Sequence, residues 1–325
     1  MTRRSIVRAV QIIFFLALLI FVGVYLRDQL AQLRDNPLAI NWTMLIFAQI
    51  GMTIGLGLLP LGSLLILRDL EENQRPFVIW RAFFISNIAK YLPGSIWALP
   101  GRMFLYQRAG VPTAKSVIAV FWEVLLMVTG AGITALLSLR LVTHYLPSGL
   151  VFSVIFGGIV LVVIGVLSLR SEKFINWLKS QKLPSILRRL LDRPDLWLSL
   201  PQILMVIFVY IVAWVVIGLS FAGIVYAIAP ELSAGAVLEI IGLYAGTWMI
   251  GFLIIFTPGG IGVRDVLIAL GLAVFLNEPI PATAAIIARI GWTLAEIVGV
   301  MLTSLFFLYV DLPEAEVSST QGESA

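Results

Sequence analysis

Apolar residues run in blocks at 9–26, 43–67, 117–139, 150–169, 203–229 and 282–310, and each block is long enough to cross about 30 Å of hydrocarbon as one helix. Two more apolar stretches, 77–100 and 236–276, are interrupted: the first carries Pro93-Gly94-Ser95 within KYLPGSIWALPGR, the second Pro258-Gly259-Gly260 within FTPGGIGVRD. Proline lacks an N–H and clashes with the preceding turn, so each motif predicts a break with two limbs, not one straight helix. Pro100 adds another helix-disrupting residue to the first stretch. The expected fold is an all-α polytopic membrane protein with about six full transmembrane helices plus two broken or re-entrant elements, up to eight helical membrane segments in all.

The 22 lysines and arginines orient these elements. With Arg3, Arg4 and Arg8 held in the cytoplasm, the first two helices return the chain inside at Arg68, Arg75 and Arg81. A full crossing by 77–100 would place Arg102, Arg108, Lys115 and the whole basic loop 170–200 outside. An element that enters from the cytoplasm, turns at Pro93-Gly94-Ser95 and comes back keeps all of them inside, and leaves only Arg27, Arg34 and Arg140 external. The bilayer tolerates such a broken backbone where protein buries it or a wet cavity adjoins it. The second break is reached from the external face, either as a re-entrant element or as two tight crossings. Both termini are then cytoplasmic, and the expected location is the cell (inner) membrane. The N-terminal helix has no small-residue cleavage site after it and reads as uncleaved.

Composition agrees, with 60% hydrophobic against 12% charged residues in 325; no polar skin for a soluble domain can be built from that ratio. Cysteine is absent, which excludes disulfides and thiol chemistry, and His144 is the only histidine, so a transition-metal site is not expected. The basic residues flank membrane segments in short loops, where topology and anionic headgroups account for them better than nucleic acid does. No Ser-His-Asp order, GK[ST] loop or DxD-like pair occurs. The expectation is therefore a non-enzyme with no catalytic residues, cofactor or metal.

The two halves resemble each other. LPGSIW is followed by RAGVPTAKSVIAVFWE, and TPGGIG by NEPIPATAAIIARIGW; Pro93 to Pro258 is an offset of 165 and Pro112 to Pro281 one of 169. Opening from opposite faces, the copies form an inverted internal repeat, the arrangement in which discontinuous helices build a transport site near the midplane. The domain reading is an N-terminal membrane repeat over 1–169 with the PGS hairpin, and a basic cytoplasmic amphipathic loop over 170–200. A C-terminal membrane repeat over 201–310 with the PGG hairpin and an acidic disordered tail over 311–325 complete it.

KYLPGSIWALPGR, followed by a helix with an acidic residue, and later FTPGGIGVRD resemble the paired signatures of the lysylphosphatidylglycerol synthase transmembrane family, over roughly 10–310. Members that make aminoacylated lipids carry a soluble synthetase domain after the membrane region; here residues 311–325 follow it. What the resemblance implies is the flippase-like half, moving a phospholipid or polyprenyl-linked lipid between leaflets, with a separate lipid-modifying enzyme as a candidate partner. The sequence leaves the oligomeric state open.

Ionisable groups at membrane depth cost about 2.5–3.5 kcal/mol each on insertion scales and so mark interiors and pathways. The candidates for a translocation pathway are Asn87, Lys90, Arg102, Glu123, Arg264, Asp265, Arg289 and Glu296, with Pro93, Gly94, Ser95, Pro258, Gly259 and Gly260 forming the hairpin turns. Arg289 and Glu296 are seven apart on one face with Trp292 between them. A phosphate would want an arginine fork, a cationic headgroup Glu123 or Glu296. Simpler readings stand beside these: Arg264 with Asp265, or Arg289 with a glutamate, as interhelical ion pairs, and Lys90 and Arg102 snorkelling to headgroups. Glu239 reads as solvated, and Gly51, Gly55, Gly57, Gly130 and Gly132 as close helix packing. Two rival functions stay open, a membrane enzyme acting on a lipid-linked substrate and a non-transporting scaffold.

Overall fold

A computed structural model describes residues 39–91, 97–145, 196–254 and 262–309. The apolar blocks 9–26 and 150–169, the basic loop as far as 195, the tail 311–325 and all six hairpin-turn residues, Pro93, Gly94, Ser95, Pro258, Gly259 and Gly260, lie outside these described residues.

Every regular element among the described residues is helical. In chain order they are α1 (Trp42–Asp69), α2 (Pro76–Ile88), α3 (Ala98–Arg108), α4 (Thr113–Ala135), α5 (Leu139–Tyr145), α6 (Leu200–Ile228), α7 (Val237–Leu253), α8 (Val263–Leu272) and α9 (Ile280–Tyr309). Five stretches are long and apolar enough to cross a membrane: Trp42–Asp69, Thr113–Leu141, Leu200–Ile228, Ala234–Leu253 and Ile280–Leu305. Four of them are the expected full spans at 43–67, 117–139, 203–229 and 282–310. The fifth, ending in α7, is the first limb of the second broken element.

Length separates the remaining limbs from these. At 1.5 Å per residue, α2 is about 20 Å long, α3 about 16 Å and α8 about 15 Å, each short of the hydrocarbon thickness. The stretch 77–100 is therefore not one crossing helix. It is α2, a short 3-10 turn over Ala89–Tyr91, the break and then α3, and α3 packs back on α2 so that Arg102 lies against Ser86 and Asn87. Pro100, expected to disrupt a helix, instead sits in the first turn of α3. A first-turn N–H has no intrahelical acceptor, so proline loses no bond there. The described helices recur in order as long helix, first limb, short helix, long helix: α1 to α4, then α6 to α9.

Local chemistry explains the ends. Asn41 caps α1 through its side chain, which accepts the Met44 N–H at 3.1 Å. Ser199 caps α6 and its own N–H donates to Asp69 at 2.9 Å, tying the start of α6 to the end of α1. Pro60 lies inside α1; close to it, the Gly57 carbonyl accepts the Trp80 indole N–H at 2.9 Å, a neighbouring helix supplying the partner that lipid cannot.

α6 is the central packing element, against α1, α4 and α7. Small residues set the distances: Gly51 meets Ser220, Gly55 meets Ile217, Gly62 and Gly130 flank Tyr210, and Gly132 meets Met249. Gly57 departs from that expectation, for a Cβ there meets nothing within 4 Å. A Cβ on Gly130 would fall 2.7 Å from the Tyr210 Cβ and 3.3 Å from its backbone carbon, neither of which can swing aside. Gly130→Ala is expected to destabilise the detergent-solubilised protein by about 1–3 kcal/mol in thermal melts, whereas Gly57→Ala leaves it unchanged or slightly more stable.

Candidate functional site

The eight predicted pathway residues resolve into two adjacent centres. The first lies between α2, α3 and α4. Glu123, wholly buried, pairs with Arg102 of α3, itself 2% exposed. The Glu123 Oε2 also accepts from the Ser63 hydroxyl at 2.7 Å and from Tyr106 at 3.3 Å. Arg102 donates from Nε to Ser86 at 3.0 Å and from Nη2 to Asn87 at 2.6 Å, and its guanidinium lies 4.1 Å from the Phe83 ring centroid. Arg102 therefore does not snorkel to the surface; it is consumed by an interior network. Ser63, Ser86 and Tyr106 complete this network and carried no signal in the sequence beyond being polar residues in apolar helices.

The second centre is built on α9. Arg289, Trp292 and Glu296 recur at helical-turn spacing. Glu296, 1% exposed, pairs with Lys90 and accepts the Trp292 indole N–H at 2.9 Å, while Lys90 Nζ stands 5.5 Å over the Trp292 ring. Lys90 comes from the 3-10 turn just before the first break, and so joins the broken element of the first half to the last long helix of the second. Arg289 grips Asp265 of α8 with two bonds, Nε to Oδ1 and Nη2 to Oδ2, both 2.8 Å. The simpler reading paired Arg264 with Asp265, or Arg289 with a glutamate on another helix; the structure instead pairs Arg289 with Asp265, which also turns back on its own helix start. There it accepts the Gly262 N–H at 3.0 Å. Gly262 has φ of 85°, a left-handed conformation that costs a glycine nothing.

Among the described residues Arg264 is left without an acid. It is 7% exposed, its guanidinium is 4.4 Å from the Tyr244 ring and 4.6 Å from the Trp292 ring, and its Nε has no hydrogen-bond acceptor. An aromatic group supports this clamp: Trp214 stacks near Trp292 with centroids 6.3 Å apart, and Phe221 stacks on Tyr244 at 4.5 Å. Lys90 and Arg264 lie against the same Trp292 ring, 5.5 and 4.6 Å from its centroid, so the flanks of the two breaks meet at this side chain. Glu239, expected to be solvated, is buried on α7 and lies 3.7 Å from the exposed Arg140.

Apolar helices enclosing paired charges define an integral membrane protein with a polar interior. A family model described as the lysylphosphatidylglycerol synthase TM region matches residues 6–304, and the chain belongs to that family. No curated protein matches it.

Removing one partner of a buried pair strands the other charge. Glu123→Gln is expected to cost about 3–5 kcal/mol in detergent melts, and the double replacement Arg102→Met with Glu123→Met markedly less. A single variant as stable as the parent would contradict the pairing.

Proposed function

We propose that the protein moves a phospholipid or lipid-linked headgroup between membrane leaflets, without catalysing a chemical step. The observation that carries this reading is the Lys90–Glu296 pair, which brings the flank of the first break against the same helix face that holds the flank of the second. Discontinuous helices converging on shared charges are how membrane transporters form a substrate site, since a half-helix end offers unpaired backbone groups at depth. The family's description names a lipid synthase's membrane region, which points the same way for the substrate. A headgroup entering this interior would exchange water for the arginine, aromatic and carboxylate groups of the second centre, while its acyl chains remain in lipid. The pathway residues on this reading are Lys90, Arg264, Asp265, Arg289 and Glu296, with Asn87, Arg102 and Glu123 holding the first limb. Both termini are cytoplasmic in the corresponding topology.

In proteoliposomes carrying a labelled phospholipid, the protein is expected to bring inner-leaflet label within reach of an external quencher faster than protein-free vesicles do. Recovered lipid keeps its original mass. Lys90→Met with Glu296→Leu, which removes the charge pair and keeps apolar bulk, should return the rate to that of empty vesicles. Converted lipid would mean an enzyme, and an unaccelerated rate would end the transporter reading.

A further inference from the structure

Among the described residues, the charges of the two centres do not cancel. Glu123, Glu296 and Asp265 are taken by Arg102, Lys90 and Arg289 respectively, and Arg264 remains. No other charge in the adjoining breaks balances it, for residues 92–96 read LPGSI and 255–261 read IFTPGGI. Among the described residues no carboxylate lies within 4.0 Å of Arg264, although it is more than nine-tenths buried.

The way Arg264 is held matters as much as its charge. The guanidinium carbon lies 4.4 Å from the Tyr244 ring centroid and 4.6 Å from that of Trp292, and cation–π attraction stabilises the charge without supplying a counter-ion. The Arg264 Nε is buried with no hydrogen-bond partner among the described residues, and a phosphate oxyanion is the group that fits an arginine fork. Arg264 is also in the first turn of α8, a ten-residue helix whose leading N–H groups have no intrahelical acceptor. Asp265 is next to it, but the two Arg289 bonds and the Gly262 N–H neutralise that carboxylate. Glu296 is likewise occupied by Lys90 and Trp292. Among the described residues, a cationic headgroup entering here finds no free acid, whereas an anionic one finds an arginine without a carboxylate partner.

We propose that Arg264 binds the phosphate oxyanion of a lipid whose headgroup is net negative, so that the site selects anionic lipids over zwitterionic or aminoacylated, cationic ones. This rests on the lipid-transport reading for its substrate class, yet binding and movement are separable by experiment. The full chain in neutral detergent would be titrated at equilibrium with dihexanoyl-phosphatidylglycerol, dihexanoyl-phosphatidylcholine, lysyl-phosphatidylglycerol and inorganic phosphate. Phosphatidylglycerol is expected to bind about tenfold or more tighter than the zwitterionic and cationic lipids, the size of one charge-assisted bidentate contact.

Arg264→Met keeps apolar bulk between the two rings and should abolish that preference while melting no lower than the parent, as the removed charge has no partner to strand. Arg264→Lys, a point charge without the fork, should retain part of it. Equal affinities, a preference for the lysylated lipid, or a preference untouched in both variants would overturn the proposal. Inorganic phosphate binding as tightly as the lipid would replace a lipid ligand with a free anion and overturn it as well. Should Arg264→Met fail to fold, the parent's own ranking of the four probes and the Arg264→Lys variant still decide. Charge-selective binding without movement in vesicles would end the transport reading and leave this one standing; movement indifferent to headgroup charge and to Arg264 would do the reverse.

Discussion

A charge inside a hydrocarbon-bounded protein must find a partner, and the Lys90–Glu296 pair shows how far that requirement shapes this chain. The limb that carries Lys90 is too short to cross the membrane and too interrupted to be placed by its own backbone. It is fixed where Glu296 is. One face of α9 does the same for the other half, since Arg289 holds Asp265 and so the start of α8. Trp292 stands between Arg289 and Glu296 along α9, donating to Glu296 and lying against Lys90 and Arg264. Both broken elements are thus tied to a single long helix by ion pairs whose loss would strand charge in a medium that cannot solvate it.

That coupling makes packing and polarity interdependent. α6 can lie close to α1 and α4 because glycines flank Tyr210 on two sides, and the same close approach puts Ser63 of α1 within 2.7 Å of Glu123 on α4. Looser helices would leave that carboxylate with fewer donors. In lipid there is no hydrophobic force between helices to compensate, so the contact distances and the buried hydrogen bonds must be satisfied together.

Long apolar runs and most of the ionisable residues that meet between the helices were legible in the sequence, because each depends on composition over a few residues. Partner choice was not. Asp265 pairs with Arg289 across 24 residues in preference to its neighbour Arg264, an outcome set by the reversal of Asp265 onto the Gly262 N–H. Pro100 misled because a proline's effect depends on its place in the helix, and the helix start at Ala98 cannot be fixed from local pattern alone. Glu239 was assigned to water by its nearness to a loop, whereas the packing of α7 buries it. Tyr244 and Trp292 become a clamp only when α7, α8 and α9 meet, and nothing in GLYAGTW or RIGWTL foretells it.

The two arginines that follow the two breaks show most clearly what the sequence pattern conceals. Arg102 and Arg264 occupy comparable positions in the repeat, each in a short helix after a Pro-Gly motif, yet their surroundings differ in kind. Arg102 meets a carboxylate, an amide and a hydroxyl, so its fork is full and its role is to hold α3 against α2 and α4. Arg264 meets two rings, which stabilise the cation, and its buried Nε has no hydrogen-bond partner among the described residues. A buried charge kept only for stability would be paired, since an unpaired one lowers stability by several kcal/mol unless something compensates it. The clamp compensates it in part and leaves the Nε donor without a partner among the described residues, an arrangement suited to a group that binds a ligand. On the proposed reading that partner is the travelling headgroup, and the asymmetry between the halves marks which of two similar positions is open to it.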